Sequence, residues 1–164
     1  MDHPKPLWQG PALDPDAPYA RLAVVAIVRE PGKGDWLLMR APRVTEVWGP
    51  PGGRVERGET LFAALRRELL EEVGLEVGSD LVTAGACFAY LTMHKGERTL
   101  GVHMACAARS PHPQVRLAPD EAVEHRWVTA TEWEEMARAG LTPWDPADVR
   151  RVTTLASTLL DLEE

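Results

Sequence analysis

The chain has 164 residues, of which 45% are hydrophobic and 26% charged, and this size and composition suit a globular protein with a sizeable core. Its formal net charge of -7 argues against a general affinity for duplex nucleic acid, which requires a basic surface. The longest apolar run, 22–28, is far shorter than the ~20 residues that cross a bilayer. No signal-peptide core precedes it, so we expect a cytoplasmic protein that does not enter a membrane.

The N-terminal part of the sequence predicts an arm followed by strands. Residues 1–20 contain five of the fourteen prolines and little periodicity, which indicates a proline-rich arm ahead of a single domain at 21–164. The arm also leaves a homodimer as an open expectation. The β-branched run 21–28 and the segment 36–40, separated by the turn sequence EPGKGD, predict a β-hairpin. Residues 48–59 are too rich in Gly and Pro for a regular element and predict a shaped loop with brief extended pieces.

The clearest element is a helix predicted over 60–73. Leu61 and every fourth residue after it are apolar, and Phe62 lies on the same flank, which makes one apolar stripe. Thr60 can cap the first turn, and Gly74 suits the left-handed position that follows the last turn. The sequence therefore predicts an amphipathic helix that packs on the core through one face.

The second half of the chain predicts strands and then helices. We expect strands at 81–93 and 99–109 joined by a turn at 94–97, a strand at 125–128, a helix at 131–139 capped by Thr131, and a last helix at 146–162. Strands interleaved with two or three helices, without regular βαβ units, predict an α+β sandwich. Cys87 and Cys106 have no disulfide or metal spacing and are expected to be buried free thiols. The lone His94 and His103 are expected to be structural or solvated.

Three carboxylates crowd the end of the predicted helix in the stretch RRELLEEVGL. Glu68, Glu71 and Glu72 lie on one sector bordering the apolar stripe, where like charges one turn apart repel and the helix dipole disfavours anions. Residues 59–72 hold four glutamates and no lysine, and Arg67 alone cannot neutralise the cluster. With a carbonyl from the preceding glycine-rich loop, such oxygens suit Mg²⁺ or Mn²⁺. From the helix alone, a metal site and a solvated charged face both remain open.

The spacing of this stretch and of the loop before it resembles the Nudix box. Gly53 is followed after five residues by Glu59, after seven more by Arg67-Glu68-Leu69, and then, each after one residue, by Glu71-Glu72 and Gly74-Leu75. All nine specified positions of the 23-residue frame match, and the preceding WGPPGG resembles the usual lead-in, although two prolines stand where one is commoner. The resemblance is to MutT-like Nudix hydrolases and implies an α/β/α sandwich with a mixed central β-sheet.

The resemblance also implies a reaction and a metal. Nudix enzymes cleave a nucleoside diphosphate linked to another group, by attack of water on phosphorus, with Mg²⁺ as cofactor and Mn²⁺ able to substitute. Glu71 and Glu72 match direct metal ligands, and Glu68 matches a ligand or the general base. Gly52 matches the position that offers its carbonyl to the metal.

Other residues match supporting positions of the family pattern. Arg67 and Glu59 match the pair that holds the loop on the helix, and Arg67 also orients the glutamates. Gly53 and Gly74 match the structural glycines of the box. The family often adds an acidic residue from a later loop, for which Glu121 is the best match. An acid-rich surface turn is an equal interpretation of that segment.

Features beyond the box leave two substrate classes open. No proline occurs between 75 and 110, where the ADP-ribose type has one, and the NADH-type and coenzyme A signatures are not met. Nucleoside triphosphates, including oxidised ones, and dinucleoside polyphosphates remain, with Trp48 and Tyr90 as candidates to stack on the base. Phe88 and Trp127 could also stack on a base, but a core position at strand spacing is favoured for both. The alternative is a non-catalytic Nudix-like nucleotide-binding or sensor module, although such modules usually lose box glutamates and none is lost here.

Overall fold

The computed structural model describes residues 19–32, 34–40, 42, 47–94, 97–111 and 113–162. The predicted arm at 1–20 lies outside the described residues except for the backbone of its last two positions, so it stays a prediction. Seven strands and three helices follow one another in the described part of the chain: β1 (Tyr19–Arg29), β2 (Trp36–Arg40), β3 (Trp48–Gly49), β4 (Gly52–Arg54), α1 (Leu61–Val73), β5 (Leu81–His94), β6 (Glu97–Ala108), β7 (Glu124–Val128), α2 (Ala130–Arg138) and α3 (Pro146–Leu162).

The strands form one mixed sheet. Its order is β3-β2-β1-β6-β5, with β4 paired to β1 and β7 paired to β2. β1 and β6 run parallel, whereas the other neighbouring strands among these seven run antiparallel. The α+β class and the mixed central sheet predicted from the sequence are therefore confirmed.

Helices cover both faces of the sheet. Alternate residues of β1 point to opposite faces, so Val24 joins the core under α1, while Ile27 joins the core under α2 and α3. The first core contains Leu65 and Leu69 of α1, and the second contains Trp133 of α2. Because both faces of β1 are buried, its sequence is a continuous apolar run without alternation. None of the described helices is long and apolar enough to cross a membrane.

Two details of the helices differ from the sequence prediction. Phe62 does not join the apolar stripe of α1: it is 41% exposed, and the Arg66 guanidinium lies 5.9 Å from its ring centroid. α2 is capped by Thr129 rather than Thr131, since the Thr129 hydroxyl accepts from the Glu132 N–H and the Glu132 carboxylate accepts from the Thr129 N–H. Both threonines have a glutamate three residues on, so the capping-box pattern alone could not choose between them.

The β5–β6 hairpin is longer than predicted. His94 and Glu97 are paired, so the predicted four-residue turn narrows to positions that lie outside the described residues. Both cysteines are free, with Cys106 buried as expected and Cys87 half-buried.

Candidate active site

The glycine-rich loop passes between β1 and α1 with no room for side chains. A Cβ on Gly52 would collide with the Val24 carbonyl oxygen, and a Cβ on Gly53 would collide with the Glu68 carboxylate. Gly52 and Gly53 lie in β4 and pair with Val25 and Val24 of β1, respectively. The loop therefore brings backbone atoms against the carboxylates of α1, which a larger residue would prevent.

Glu72 is the most buried carboxylate of the cluster. It is 6% exposed, and its Oε2 accepts a hydrogen bond from the Gly52 N–H at 2.8 Å. Burial raises its pKa to about 8, assisted by the negative charges of Glu68, Glu121 and Glu71 and opposed by the Gly52 hydrogen bond. Without a cation, this carboxyl group is therefore largely protonated at neutral pH.

Arg67 lies at the centre of a network of carboxylates. Its Nε and Nη2 donate to the two oxygens of Glu59 at 2.8 and 3.0 Å, and Nη2 also donates to the Arg54 carbonyl at 2.9 Å. Its Nη1 donates to Glu68 at 2.7 Å and to Glu71 at 3.3 Å. The guanidinium lowers the pKa of Glu59 to about 2. Arg67 thus joins the loop to the helix and orients two of the three glutamates.

Glu68 has an environment with opposing influences. It is half-buried, and this burial raises its pKa, with Arg67 acting against the shift and Glu71 and Glu121 adding to it. Its carboxylate lies over Gly53. A carboxyl group with a raised pKa is a stronger base and suits general base catalysis.

Glu121 reaches the cluster from a distant part of the sequence. The loop before β7 is held by the Ala118 N–H, which donates to the Glu72 carbonyl at 3.4 Å, and by the Val123 N–H, which donates to the Arg40 carbonyl at 2.9 Å. Glu121 itself is exposed, and it is close enough to raise the pKa values of Glu68 and Glu72.

The cluster has the chemistry of a site for a hard divalent cation. Its donors are carboxylate oxygens; burial and then the neighbouring negative charges raise the pKa values of Glu68 and Glu72, and a cation would relieve that repulsion. Within the described residues, no three His, Cys, Asp or Glu side chains already converge as a metal cage. Instead, Glu72 bonds the Gly52 N–H, while Glu68 and Glu71 bond Arg67. The donor set fits Mg²⁺, provided that these side chains exchange their present partners for the ion.

The two aromatic candidates for base stacking have different surroundings. Trp48 is buried, and the guanidinium carbons of Arg40 and Arg126 lie 5.6 and 5.0 Å from its ring centroid. Tyr90 is half-buried and lies across Gly101, where a Cβ would collide with its ring. Tyr90 therefore offers the more accessible ring of the two.

His103, expected from the sequence to be structural or solvated, occupies an unusual position. It is fully buried, its ring centroid lies 5.0 Å from that of Tyr90 and 4.8 Å from that of Trp144, and burial lowers its pKa to about 4. Neither ring nitrogen has a well-aligned hydrogen-bond partner among the described residues. The alternation of β6 could have identified this position, because it places residue 103 on the opposite face from Val102 and Met104.

Phe88 and Trp127 were expected in the core and are both half-buried. Phe88 packs against the core under α2 and α3, whereas Trp127 packs against the core under α1.

Comparisons with known proteins agree with this fold. Residues 19–148 match the family profile described as the NUDIX domain. A Mycobacterium tuberculosis protein provisionally named 8-oxo-dGTP diphosphatase 2 is 36% identical over 126 residues, which cover 74% of this chain and 77% of that protein. A solved Caenorhabditis elegans Ap4A hydrolase complex has a TM-score of 0.70 at 19% identity, covering 87% of this chain and 98% of the other. A MutT protein from Methanosarcina mazei has a TM-score of 0.63 at 21% identity, covering 92% and 99%. At these identities, the two structures bear on the fold alone.

Proposed function

The chain belongs to the Nudix family of hydrolases, which act on phosphoric anhydride bonds and generally use divalent metal ions, and we propose that it is a Mg²⁺-dependent pyrophosphohydrolase of small nucleotides. Its substrate is a nucleoside triphosphate, including oxidised forms, or a dinucleoside polyphosphate. The observation that carries the proposal is the cluster of Glu68, Glu71 and Glu72, which lies against Gly52 and Gly53 and is bonded by Arg67, with Glu121 close enough to raise the pKa values of Glu68 and Glu72. The name of the M. tuberculosis relative supports the triphosphate class.

Each side chain of the cluster has a part in this proposal. Glu71, Glu72 and the Gly52 carbonyl would hold the metal, with Glu68 as a further ligand or as the base. A bound Mg²⁺ ion would neutralise pyrophosphate charge and lower the pKa of a water molecule. Glu72 must lose its proton and release the Gly52 N–H to act as a ligand.

Proton transfer is assigned to Glu68. Its raised pKa makes it a better acceptor for the proton of the attacking water than a solvated carboxylate would be. Arg67 would orient this carboxylate over Gly53, because its Nη1 donates to Glu68 while its Nε and Nη2 donate to Glu59. Glu121 adds negative charge from the facing loop and is proposed as a further acidic residue of the catalytic site.

The nucleoside is proposed to lie toward Tyr90, with Trp48 as a second contact. Gly52 pairs with Val25, and Val25 pairs with His103, so about 10 Å separates the loop from the aromatic cluster around Tyr90 and His103 across two strand spacings. A phosphate chain at the carboxylates could therefore place its base against this cluster.

A substrate panel tests the proposal. We expect Mg²⁺-dependent release of phosphate, pyrophosphate or nucleotide products from triphosphates or dinucleoside polyphosphates, with nucleotide sugars and coenzyme A as comparisons. Glu68→Gln should lower kcat by about 10²–10⁴-fold, because it removes the proton acceptor and keeps the shape. Binding without hydrolysis across the panel, with either Mg²⁺ or Mn²⁺, would instead support a nucleotide-binding or sensor module.

A further inference from the structure

The helices leave part of the sheet accessible beside the glycine-rich loop. β1 lies inside the sheet, yet Ala23 and Val25 are only half-buried, whereas Val24, on the opposite face, is fully buried. Alternation puts Ala23 and Val25 on the same face as Ile27, which lies in the core under α2 and α3. Val25 also pairs with Gly52 of the loop. α2 and α3 therefore cover one end of this face and leave the end next to the carboxylate cluster accessible.

Aromatic rings border this accessible area. Val25 pairs with His103 of β6, and Tyr90 lies across Gly101. The ring centroids of Tyr90 and Trp144 lie 5.0 and 4.8 Å from that of His103. Tyr90 and Trp144 are both half-buried, so their rings reach the surface. A flat base that lies on Val25 would therefore meet aromatic rings at its edge.

His103 lies beneath these rings without a hydrogen bond. Its side chain is fully buried, and neither Nδ1 nor Nε2 has a partner within the described part of the chain. Burial lowers its pKa to about 4, and the Phe88 backbone opposes this shift without forming a well-aligned hydrogen bond. At pH 7 the imidazole is therefore neutral and offers one N–H donor and one nitrogen acceptor. Unpaired polar groups are unfavourable and uncommon in protein interiors.

A second unpaired polar group lies on the same face of β6. Thr99 precedes Gly101 by two residues and His103 by four, so the alternation of the strand points all three to one face. Thr99 is buried, and among the residues described its hydroxyl has no hydrogen-bond partner. Two such groups on either side of one glycine indicate that this face binds a partner that carries hydrogen-bonding atoms.

Tyr90 controls access to His103. The Tyr90 ring occupies the space that a side chain at Gly101 would need, so it packs on a glycine and not on a larger residue. β5, which carries it, is the last strand on this side of the described sheet. The ring can therefore turn aside without a change in the backbone, and this movement exposes His103 to a base that lies on Val25.

We propose that His103 is a specificity-determining residue, which recognises an oxo- or amino-substituted purine lying on Ala23 and Val25 beside Tyr90, with Thr99 as a second contact. The neutral imidazole can donate to a base oxo group or accept from a base amino group. Neighbouring positions on one face of two strands cover about 5 by 7 Å, which suits a flat base of two rings. The inference rests on the proposed function for the cleavage of the phosphate chain, but recognition of the base does not require hydrolysis.

Steady-state kinetics of the full-length protein with Mg²⁺ test the base preference. One substrate is GTP or ATP, whichever is turned over faster, and the other is purine riboside triphosphate, which has no oxo or amino group on its base. His103→Phe should lower the ratio of kcat/KM for the first to kcat/KM for the second about tenfold, through KM, by loss of one hydrogen bond. His103→Gln, which keeps a donor and an acceptor, should lower the ratio less.

Two results of these kinetics would overturn the proposal. One is an equal loss on both substrates, as expected if His103 only packs or bonds a water molecule. The other is a wild type without preference between them. Circular dichroism compares the folds of the variants, and His103→Gln keeps the test decisive if His103→Phe does not fold.

Calorimetric titration of the metal-free, full-length protein with guanosine and adenosine 5′-monophosphates separates base recognition from hydrolysis. We expect saturable binding of at least one of them, weakened about tenfold by His103→Phe and also weakened by Thr99→Val. Thr153→Val is the matched control, because the buried Thr153 hydroxyl already donates to the Val149 carbonyl at 2.9 Å. Equal affinities for Thr99→Val and Thr153→Val would exclude the contact with Thr99.

The two experiments distinguish failure of the base site from failure of the proposed function. Absence of monophosphate binding by the wild type, or equal affinities for the wild type and His103→Phe, would overturn the base site. If binding depends on His103 but no triphosphate is cleaved, the proposed function fails while the base site stands. Cleavage of both triphosphates with a ratio that His103→Phe does not change refutes the role of His103 alone.

Discussion

At Gly53, the absence of a side chain leaves room for the carboxylate of Glu68, the proposed general base. A Cβ at this residue would occupy the space that the Glu68 carboxylate fills, whereas a Cβ on Gly49 would meet no atom within 4 Å. Neither glycine has the left-handed backbone conformation that favours glycine, so substitution by alanine tests space rather than backbone strain.

We predict that Gly53→Ala lowers kcat about 10²-fold, since displacing a proton acceptor by about 1 Å can have this effect. Gly49→Ala should retain near-native turnover. Both would be measured by product release with Mg²⁺ on the best substrate of the panel, with circular dichroism to compare the folds. Similar activities for the two variants would contradict the proposed position of Glu68.

The burial of His103 makes the unfolding free energy of the protein decrease at acidic pH. Its folded-state pKa is lowered to about 4 from an ordinary 6.5, so the unfolded chain binds the proton more tightly. Its contribution is therefore fully present above pH 6.5 and is lost as the pH falls through about 4.

Lowering the pH from 7 to 4 should decrease the unfolding free energy of both proteins. We predict that this decrease is about 3 kcal/mol smaller for His103→Phe than for the wild type. Denaturant unfolding at the two pH values measures this difference. A His103→Phe variant with unchanged acid sensitivity would show that other groups dominate.

At the scale of the elements, the two capping candidates of α2 separate local pattern from structure. The Thr129 hydroxyl accepts from the Glu132 N–H at 3.1 Å, and the Thr129 N–H donates to Glu132 at 2.7 Å. Thr131 lies within α2, and the glutamate three residues after it, Glu134, instead pairs with Arg150 of α3.

We predict that Thr129→Ala lowers the unfolding free energy by about 1 kcal/mol through loss of the cap. Thr131→Ala should change it by less than about 0.5 kcal/mol, as for other surface substitutions. Urea denaturation of both variants measures these changes. A larger effect at Thr131 would restore the helix start predicted from the sequence.

Local signals predicted the elements well, and long-range contacts limited what the sequence could reveal. α1 was predictable from an apolar residue at every fourth position, a capping threonine at Thr60 and a glycine suited to the left-handed conformation at Gly74. Both caps are present in the structure. The exposure of Phe62 was not predictable, because periodicity places it beside the stripe but does not say where the sheet ends.

In the candidate site, too, contacts between residues close in sequence were predictable and contacts that depend on long-range packing were not. The Arg67 contacts with Glu59 and Glu71 follow from residues close in sequence, and the family resemblance suggested them. The burial of Glu72 and the approach of Glu121 depend on how separate loops pack, which no local pattern encodes. The burial of His103 also depends on Trp144, which lies beyond α2 in the sequence.

At the scale of the whole molecule, the burial of Glu72 makes stability depend on pH, and the proposed metal site would make it depend on a divalent cation as well. Burial and like charges raise the pKa of Glu72 to about 8, above its unfolded value of 4.5. Its contribution to the metal-free protein is therefore fully present below pH 4.5 and is lost as the pH rises through about 8. A divalent cation requires the ionised form, so metal affinity should rise over the same interval.

We predict that Mg²⁺ at tenfold its Kd stabilises the wild type by about 1.4 kcal/mol. The apparent Kd should be lower at pH 9 than at pH 6.5. Glu72→Gln should lose most of this response, while at pH 9 its metal-free form should be at least as stable as metal-free wild type. Thermal melts across a Mg²⁺ titration measure both effects. An undiminished Mg²⁺ response in Glu72→Gln would exclude this residue as a principal ligand.

The parallel pairing of β1 with β6 has a consequence for the order of folding. Val25 bonds into the sheet between Gly52 and His103, and the latter follows both α1 and β5 in the sequence. Closing so long a loop is slow relative to forming helices, because its entropy must be lost before the contacts form. During refolding we therefore expect helical circular dichroism to return before hydrolytic activity does. A newly made chain would therefore acquire catalytic activity among its last properties. The helix α1 would form earlier and carry its carboxylates before the sheet on which it packs is complete.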